Sequence, residues 1–567
     1  MKKIFTYLLL STLFFTSYAQ NFPKGQIEIK DIKTNALYKD IKRANIYFAQ
    51  RSSGKTEKAI SFIDNSTLKY FPPIISQRGG SCAYASGIGY IYNYEYNLTN
   101  NLDSSLPENI YNYLQVYSFL NGGEDSGGHC QLGWKYAAEN GLPSIKDGKT
   151  STIYEWCTGY NAYYNGMDKN IVDYNYFESD QVGEIAKMKQ YLIDHGNGSE
   201  HGGLIQFSAW ADPLDPELYN GPQSSGYNAI MPYFGNDGMH SMTIYGFDDT
   251  VEYDYNGDGD IQDEEKGAFI CVNTWGKSWG SSRGCTSNGR FYAPYYTFTT
   301  LKQSKKGVTR TKENLGGGTG NGGKYCLIVK TKKVERDLTL KIRLKHSSRN
   351  DIKLEIGVAA TKGATAPEHT INKGLFMNFQ GGDLPMQGKV GSTSYETLEF
   401  GVNISELTEF ATGPDVTYFL KVIDKARDEE GSGEVLYCSV LDYRLNREDP
   451  IEFMAKMESS KLNNSSVCNA IIHTSMPELE EGQDFCINYD MDIYNYKMFL
   501  YFNSRNGIKA QIDLLDADKV VVKELVSKTL PTGVSSEKFD FNNLQAGTYG
   551  IRIIVGNKFI YKKLIIN

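Results

Sequence analysis

The stretch Gln77-Arg78-Gly79-Gly80-Ser81-Cys82-Ala83 decides how the first half of this 567-residue chain is interpreted. A helix is predicted to begin at Ser81 and Cys82 and to run to about residue 97. Two later stretches carry complementary groups, Gly238-Met239-His240-Ser241-Met242 and Asn273-Thr274-Trp275-Gly276. A thiol, an imidazole and a side-chain amide, in that chain order, are the parts of a cysteine nucleophile, its base and the group that orients the base.

The chemistry of a cysteine nucleophile explains why these groups are needed beside Cys82. A cysteine attacks as a thiolate, and both a helix N-terminus and a neighbouring imidazolium such as His240 stabilise that negative charge. The Asn273 amide is expected to accept from the other ring nitrogen of His240, shielded from water by Trp275. Gln77 carries a side-chain N–H that can point at a developing oxyanion, beside the backbone N–H of Cys82.

These residues resemble the papain family of cysteine peptidases over about residues 66–332. The matching motifs are Gln77 ahead of Gly80-Ser81-Cys82, His240 in an apolar strand ahead of Gly246-Phe247, Asn273-Thr274-Trp275-Gly276 with Trp279-Gly280, and a Gly127-Gly128-His129-Cys130 segment like the family's substrate wall. The resemblance implies an α+β, two-lobed catalytic domain with a cleft between the lobes. It also implies hydrolysis of protein or peptide substrates through an acyl-enzyme, with Cys82, His240, Asn273 and Gln77 as catalytic residues and no organic cofactor.

An insertion separates His240 from Asn273. Within it, residues 254–265 resemble the calcium loop of an EF-hand, with Gly259 at the turn position. Side chains of Asp254, Asn256, Asp258 and Glu265 and the backbone carbonyl of Asp260 would hold a structural Ca²⁺. The alternative is an acidic turn that joins two strands.

Composition and the N-terminus limit the remaining possibilities. The length predicts three or four domains. A net charge of -8 and the lack of a basic cluster argue against a nucleic-acid partner. Residues 1–19 have the basic start, short apolar run and small-residue cleavage site of a signal peptide, and 20–65 form a short leader. We therefore expect an exported protein, secreted or at a bacterial cell surface, with no transmembrane segment after signal removal.

The second half of the chain is predicted to contain strands and turns only. Residues 333–446 are interpreted as a β-sandwich accessory domain of unknown ligand, and 447–567 as a second sandwich. Leu544-Gln545-Ala546-Gly547-Thr548-Tyr549 and the ending Lys562-Lys563-Leu564-Ile565-Ile566 resemble the C-terminal sorting domain of type IX secretion cargo. That resemblance implies outer-membrane secretion machinery as a partner. The alternative is an ordinary sandwich that ends in a hairpin.

Nine cysteines, an odd number, leave at least one thiol unpaired in an exported chain. Cys82 is the candidate for that thiol, and Cys468 with Cys486 is a candidate local disulfide. The alternative is that several cysteines are simply buried thiols.

Two other functions use the same parts. The first is a cysteine amidase or acyltransferase of the transglutaminase kind, against which Asn273 in place of an aspartate argues. The second is a surface binding protein beside a degenerate peptidase domain, against which the intact set of Cys82, His240, Asn273 and Gln77 argues.

Overall fold

The structure is a computed structural model. The described residues are 41–46, 60–121, 125–148, 152–211, 215–235, 238–299, 302–305, 308–311, 325–361, 363–374, 384–412, 416–425, 431–444, 446–457, 459–463, 465–474, 479, 481–492 and 496–566. The predicted signal peptide and most of the predicted leader lie outside them.

The N-terminal unit combines helices with one large sheet. Its helices are α1 (Cys82–Tyr84), α2 (Asn93–Asn100), α3 (Tyr113–Asn121), α4 (Cys130–Asn140), α5 (Tyr160–Gly166), α6 (Glu184–Asp194) and α7 (Tyr295–Thr299). Its strands are β1 (Lys42–Arg43), β2 (Phe62–Asp64), β3 (Lys169–Glu178), β4 (Ile205–Trp210), β5 (Glu217–Leu218), β6 (Ala229–Ile230), β7 (Met239–Glu252), β8 (Lys266–Val272), β9 (Arg290–Pro294), β10 (Lys302–Lys305), β11 (Val308–Thr311) and β12 (Tyr325–Lys333). Ten of them form a sheet of order β1-β3-β12-β4-β7-β8-β9-β6-β5 with β2 against β7, while β10 and β11 pair with each other.

One helical run carries Cys82 into the core. It starts as α1, widens into a π-helix over Ala85–Tyr92 and continues as α2. Gly87 lets α4 come close, since a Cβ at Gly87 would lie 2.8 Å from the Cys130 Cβ. The Gly87 carbonyl accepts a hydrogen bond from Trp134 Nε1 at 2.9 Å. The predicted helix is therefore present, and its glycine serves helix packing.

The middle sandwich contains the strands β13 (Leu338–His346), β14 (Ile352–Ala359), β15 (His369–Ile371), β16 (Gly388–Val390), β17 (Thr393–Tyr395), β18 (Thr397–Asn403), β19 (Thr417–Asp424), β20 (Ser432–Asp442), β21 (Ile451–Met454), β22 (Lys456–Met457), β23 (Lys461–Asn463) and β24 (Val467–His473). Its two main sheets are β18-β13-β20-β21 with β23 against β20, and β15-β14-β19-β24-β22, while β16 and β17 pair with each other. Strand pairing thus carries this domain to residue 473, beyond the boundary of 446 drawn from sequence. Short strands separated by polar turns do not reveal in advance which sheet they join.

The middle sandwich packs tightly against the helices of the N-terminal unit. The two share one hydrophobic core, which includes Tyr163 and Phe400. Trp156 Nε1 donates to the Met386 carbonyl at 2.9 Å, and Gly159 N donates to the Glu399 carbonyl at 2.7 Å. The middle sandwich therefore shares a hydrophobic core and backbone hydrogen bonds with the N-terminal unit that precedes it in the chain.

The C-terminal sandwich has a core of its own, which runs from Phe485 to Ile566. Its sheets have the orders β25-β26-β29 and β28-β27-β30-β31. The strands are β25 (Phe485–Asp492), β26 (Lys497–Ser504), β27 (Ile508–Leu515), β28 (Val521–Leu530), β29 (Gly533–Asp540), β30 (Gly547–Val555) and β31 (Lys558–Ile566). Within the described ranges of the whole chain, no helix has the length and apolar character needed to cross a membrane.

All nine cysteines lie in the described part of the chain, and none of them forms a disulfide. The predicted Cys468–Cys486 pair is not formed. Cys468 lies in β24 of the middle sandwich and Cys486 in β25 of the C-terminal sandwich. Closeness in sequence suggested a hairpin, but the domain boundary falls between the two residues.

Candidate active site

The nucleophile candidate lies at the first residue of its helical run. The Ser81 carbonyl accepts from Tyr84 N at 3.1 Å and from Ala85 N at 2.9 Å, which starts the helix. Cys82 therefore lies at the positive end of the helix dipole. One turn further, Ser86 Oγ donates to the Met242 carbonyl at 2.9 Å, so the run is attached to β7. This attachment brings the start of the helix to the strand that carries His240.

His240 and Asn273 are held together by strand register. Strands β7 and β8 pair antiparallel with Thr243 opposite Val272, so residues just before Thr243 face residues just after Val272. His240 Nε2 lies 2.8 Å from Asn273 Oδ1. Because an amide oxygen only accepts, Nε2 carries the hydrogen in this bond. The predicted contact between base and orienter is therefore present, and Nδ1 is the ring nitrogen on the other side.

Trp275 covers this pair. Its ring stacks on the His240 ring with centroids 4.1 Å apart and planes at 25°. Its backbone N–H donates to Asn273 Oδ1 at 3.2 Å. The amide oxygen thus receives two hydrogen bonds, and the indole excludes water from one face of the imidazole.

Gln77 is attached to the segment that follows Asn273. Its backbone N–H donates to the Thr274 carbonyl at 2.8 Å, and its Oε1 accepts from Thr274 Oγ1 at 2.6 Å. Its Nε2 donates to the Gly79 carbonyl at 2.8 Å. An amide nitrogen carries two hydrogens, and this bond uses one of them. Gln77, the predicted oxyanion donor, thus lies in the nucleophile loop (residues 77–82) and is bonded to the residue that follows Asn273.

The Gly127-Gly128 segment lies close to Gly80 and Tyr84. A Cβ at Gly80 would be 3.1 Å from Gly127 N, and one at Gly128 would be 2.5 Å from the Tyr84 ring. The two glycines therefore allow this segment to run alongside the start of α1. The next residue, His129, is buried, and burial lowers its pKa to about 4.

The other eight cysteines are poor candidates for the nucleophile. Each of them has a pKa above its ordinary value, with burial as the largest cause. They therefore stay protonated at neutral pH, and a thiol attacks far more slowly than a thiolate.

The site is closed in this conformation. Cys82, His240 and Asn273 have no exposed surface, and Gln77 is 9% exposed. A substrate carbonyl can reach the sulfur only after neighbouring groups move.

Comparisons with known proteins give a faint structural likeness to procathepsins. No family model matches the sequence, and the search of curated proteins gave no match. Among solved structures, digestive procathepsin L2 from the larval midgut of Tenebrio molitor is 15% identical with a TM-score of 0.32, over 55% of this chain and 78% of that one. Procathepsin B S9 from Trypanosoma congolense is 11% identical with a TM-score of 0.32, over 55% and 87%. Procathepsin L 3 from Tenebrio molitor is 13% identical with a TM-score of 0.29, over 51% and 76%. These values are too low to assign a family.

The candidate calcium loop joins β7 to β8 and is folded around its acidic residues. Asp254 accepts from Gly257 N at 2.6 Å and Gly259 N at 2.9 Å, and Asn256 Oδ1 accepts from Asp258 N at 2.8 Å. Gly259 has a φ of +93°, which a side chain would strain.

The end of the loop turns back over its start. Glu265, which is buried, accepts from Tyr255 N at 3.1 Å and from Gln262 N at 3.0 Å. Its carboxylate therefore closes the loop on itself.

Some of the expected calcium ligands converge and others do not. Gln262 Nε2 lies 3.0 Å from Asp258 Oδ2 and 3.3 Å from the Asp260 carbonyl. An N–H donor between these oxygens marks a point that favours positive charge. Among the described residues, however, no three acidic, histidine or cysteine side chains form a metal cluster. Asp258 Oδ1 also accepts from Asp260 N at 2.9 Å. Backbone N–H groups thus engage the side-chain oxygens of all four expected ligands, Asp254, Asn256, Asp258 and Glu265.

Sequence reasoning missed two groups at the site. Thr274, which bonds to Gln77, is adjacent to Asn273 in the motif and could have been suspected from that position. Asp125, two residues before the Gly127-Gly128 pair, carries no local signal and is found only from its contacts.

Proposed function

We propose that this chain is a cysteine peptidase that cleaves peptide bonds with Cys82 as nucleophile and His240 as its base and acid. The observation that carries the proposal is the 2.8 Å contact between His240 Nε2 and Asn273 Oδ1, on a strand attached to the helix that begins at Cys82. A contact of this kind sets the imidazole tautomer and directs Nδ1 away from Asn273.

Cys82, His240 and Gln77 can carry out peptide hydrolysis in two steps. The Cys82 thiolate attacks the peptide carbonyl carbon, and the oxyanion that forms accepts hydrogen bonds from the Cys82 backbone N–H and the Gln77 amide. The His240 imidazolium gives its proton to the leaving nitrogen as the C–N bond breaks, which leaves a thioester. Water then attacks the thioester and gives a proton to His240. The S–C bond breaks, a carboxylic acid product leaves, and the thiolate–imidazolium pair is restored.

The test uses the full chain and two readouts. Alkylation with iodoacetamide followed by mass mapping is expected to modify Cys82 faster than any other cysteine, and slowly overall because the site is closed. His240→Ala should abolish both that preference and the cleavage of a peptide library, whereas Cys285→Ser should leave both unchanged. Incorporation of an added amine without hydrolysis would indicate an acyltransferase. Wild-type protein that neither cleaves peptides nor labels at Cys82 would refute the proposal.

We also propose that residues 254–265 bind Ca²⁺ as a structural ion. Support comes from the Asp258 and Asp260 oxygens that meet at the Gln262 amide, a group that an incoming cation would displace. Calcium supplies charge neutralisation and stiffens the connection between the strands that carry His240 and Asn273.

Calcium binding is tested by thermal unfolding. Millimolar Ca²⁺, compared with EDTA, is expected to raise the unfolding temperature of the full chain. Glu265→Gln should remove that response, and the neighbouring Glu264→Gln should preserve it. An equal unfolding temperature with Ca²⁺ and with EDTA would refute the proposal.

We propose, finally, that the protein is exported and that its C-terminal sandwich addresses it to type IX secretion machinery. Support comes from the motifs at 544–549 and 562–566 and from the separate core of this domain. In a bacterium with that pathway, a chain that lacks residues 481–567 should remain inside the outer membrane, while the full chain passes it. Equal passage of both chains would refute the address.

A further inference from the structure

Asp125 holds the turn that precedes the nucleophile. Its Oδ1 accepts a hydrogen bond from Gly80 N at 2.8 Å and another from the Tyr117 hydroxyl at 2.5 Å. Gly80 lies two residues before Cys82, whereas Asp125 lies 45 residues after Gly80 in the chain. One carboxylate oxygen therefore joins the nucleophile loop to helix α3, which carries Tyr117.

The turn is shaped to receive this carboxylate. Gly79 has a φ of +53°, and a Cβ there would lie 2.3 Å from Asp125 Oδ1 and 2.5 Å from Oδ2. A side chain at this position would displace the carboxylate. The bare Gly79 backbone thus provides both the left-handed conformation and the space that Asp125 occupies.

The same turn is held from its other side by Gln77. Thr274 Oγ1 donates to Gln77 Oε1 at 2.6 Å, and Gln77 Nε2 donates to the Gly79 carbonyl at 2.8 Å. Hydrogen bonds therefore link the segment after Asn273 to the turn, and Asp125 links the turn to helix α3. The link between the turn and helix α3 is not a disulfide, because all nine cysteines lie in the described ranges and none of them is paired.

We infer that Asp125 is a positioning residue that sets the geometry of the oxyanion-binding groups, Gln77 and the Cys82 backbone N–H. The inference rests on the proposed function. Both donors belong to the segment 77–82, which Asp125 anchors at Gly80. Catalysis is sensitive to their placement, because a displacement of about 1 Å can lower the rate on the order of a hundredfold.

Three variants separate an acceptor role from a general structural one. Asp125→Ala removes the acceptor, and Asp125→Asn keeps a side-chain oxygen at the same place. Tyr117→Phe removes the second donor alone. Glu108→Gln, an exposed carboxylate on the same unit, is the matched control.

The first measurement does not depend on activity. Hydrogen exchange of a peptide that spans residues 77–82, followed by mass spectrometry on the full chain, reports the Gly80 amide. Asp125→Ala should speed its exchange about tenfold or more, as expected when a protecting hydrogen bond is lost. Asp125→Asn and Glu108→Gln should stay within about threefold of wild type.

The second measurement is kinetic. Asp125→Ala should lower kcat by about 10- to 100-fold with KM within about threefold, as for the loss of an oxyanion donor. The alkylation rate of Cys82 by iodoacetamide should stay within about threefold, since alkylation needs no oxyanion donor. Asp125→Asn should recover most of kcat. Unchanged Gly80 exchange in Asp125→Ala, or an Asn variant as impaired as the Ala variant, would overturn the inference. Wild-type protein without peptidase activity would instead refute the proposed function. The exchange result would still show whether Asp125 holds the Gly80 amide.

Discussion

Replacement of Arg349 tests whether the middle sandwich and the N-terminal unit stabilise each other. Arg349 follows β13 and is 1% exposed. Its guanidinium lies 4.2 Å from the ring centroids of both Phe119 and Trp156. Its Nη2 donates to the Phe119 carbonyl in the last turn of α3. A cation from the sandwich thus lies between two aromatic rings of the N-terminal unit, at the end of the helix that carries Tyr117.

The energies of burial, cation–π contact and hydrogen bonding at Arg349 predict different results for Arg349→Met and Arg349→Ala. Burial lowers the pKa of Arg349 from its ordinary value to about 9, so the group stays charged at pH 7. At 1.36 kcal/mol per pKa unit, burying this charge costs about 5 kcal/mol. Two desolvated cation–π contacts contribute about 2 kcal/mol each, and a charge-assisted hydrogen bond about 1.5–3 kcal/mol. These contributions nearly cancel, so Arg349→Met should change the free energy of unfolding by less than about 2 kcal/mol.

Arg349→Ala should behave differently, because it leaves a cavity between the two rings. Truncation of a large buried side chain to alanine costs about 2–5 kcal/mol. Denaturant unfolding, followed by tryptophan fluorescence, measures both variants, with the exposed Arg343→Ala as control. A loss below about 1 kcal/mol for Arg349→Ala would show that the interface is dispensable. An equal loss for the Met and Ala variants would show that the charge, rather than the packing, stabilises it.

A buried histidine, a partly buried histidine and the tryptophan at the site provide three more tests. Because burial holds the pKa of His129 near 4, below an unfolded value of about 6.5, its stabilising contribution is complete above pH 6.5 and is lost as pH falls. His129→Asn should remove about 3 kcal/mol of acid destabilisation between pH 6.5 and 4 in denaturant titrations, and an unchanged pH profile would contradict this. Burial lowers the pKa of His195, but the Glu95 carboxylate at 2.9 Å, the His201 carbonyl and Asp194 together outweigh burial and raise it overall. Its contribution is therefore present below pH 6.5 and is lost as pH rises through the raised pKa, so His195→Gln should flatten stability on the alkaline side, and a slope as steep as wild type would count against the pair. Trp275→Ala should lower kcat about tenfold by exposing the hydrogen bond between His240 and Asn273 to water, while Trp275→Phe stays within about threefold; equal rates for both would rule out shielding.

Several features of this protein could be predicted from local sequence. The helix at Cys82 is indicated by the Gly-Gly-Ser run before it. The pairing of His240 with Asn273 is predicted because His240 lies in an apolar strand and Asn273 begins the Asn-Thr-Trp motif, and both features resemble the papain family. The turn of the acidic loop at Gly259 is predicted by the EF-hand spacing of residues 254–265. The helix and the turn each follow from a pattern within a dozen residues, whereas His240 and Asn273 lie 33 positions apart and were paired by the order of their motifs.

Other features depended on how distant elements pack. Asp125 could not be singled out, because its role arises only when α3 and the nucleophile loop meet. The boundary at 446 moved to 473 because strand pairing, not turn composition, decides which sheet a short strand joins. The Cys468–Cys486 disulfide was predicted from proximity in the chain, whereas the residues belong to different sandwiches.

The sequence by itself determined the chemical identities at the site: a thiol at a helix start, an imidazole in a strand, and an amide beside a tryptophan. Only the tertiary structure decided that Thr274 holds Gln77, that Asp125 anchors Gly80, and that Arg349 enters the neighbouring core. The physical reason is that chain-local patterns encode conformation and residue chemistry. Contacts between residues that are 45 or 230 positions apart form only through the packing of whole elements.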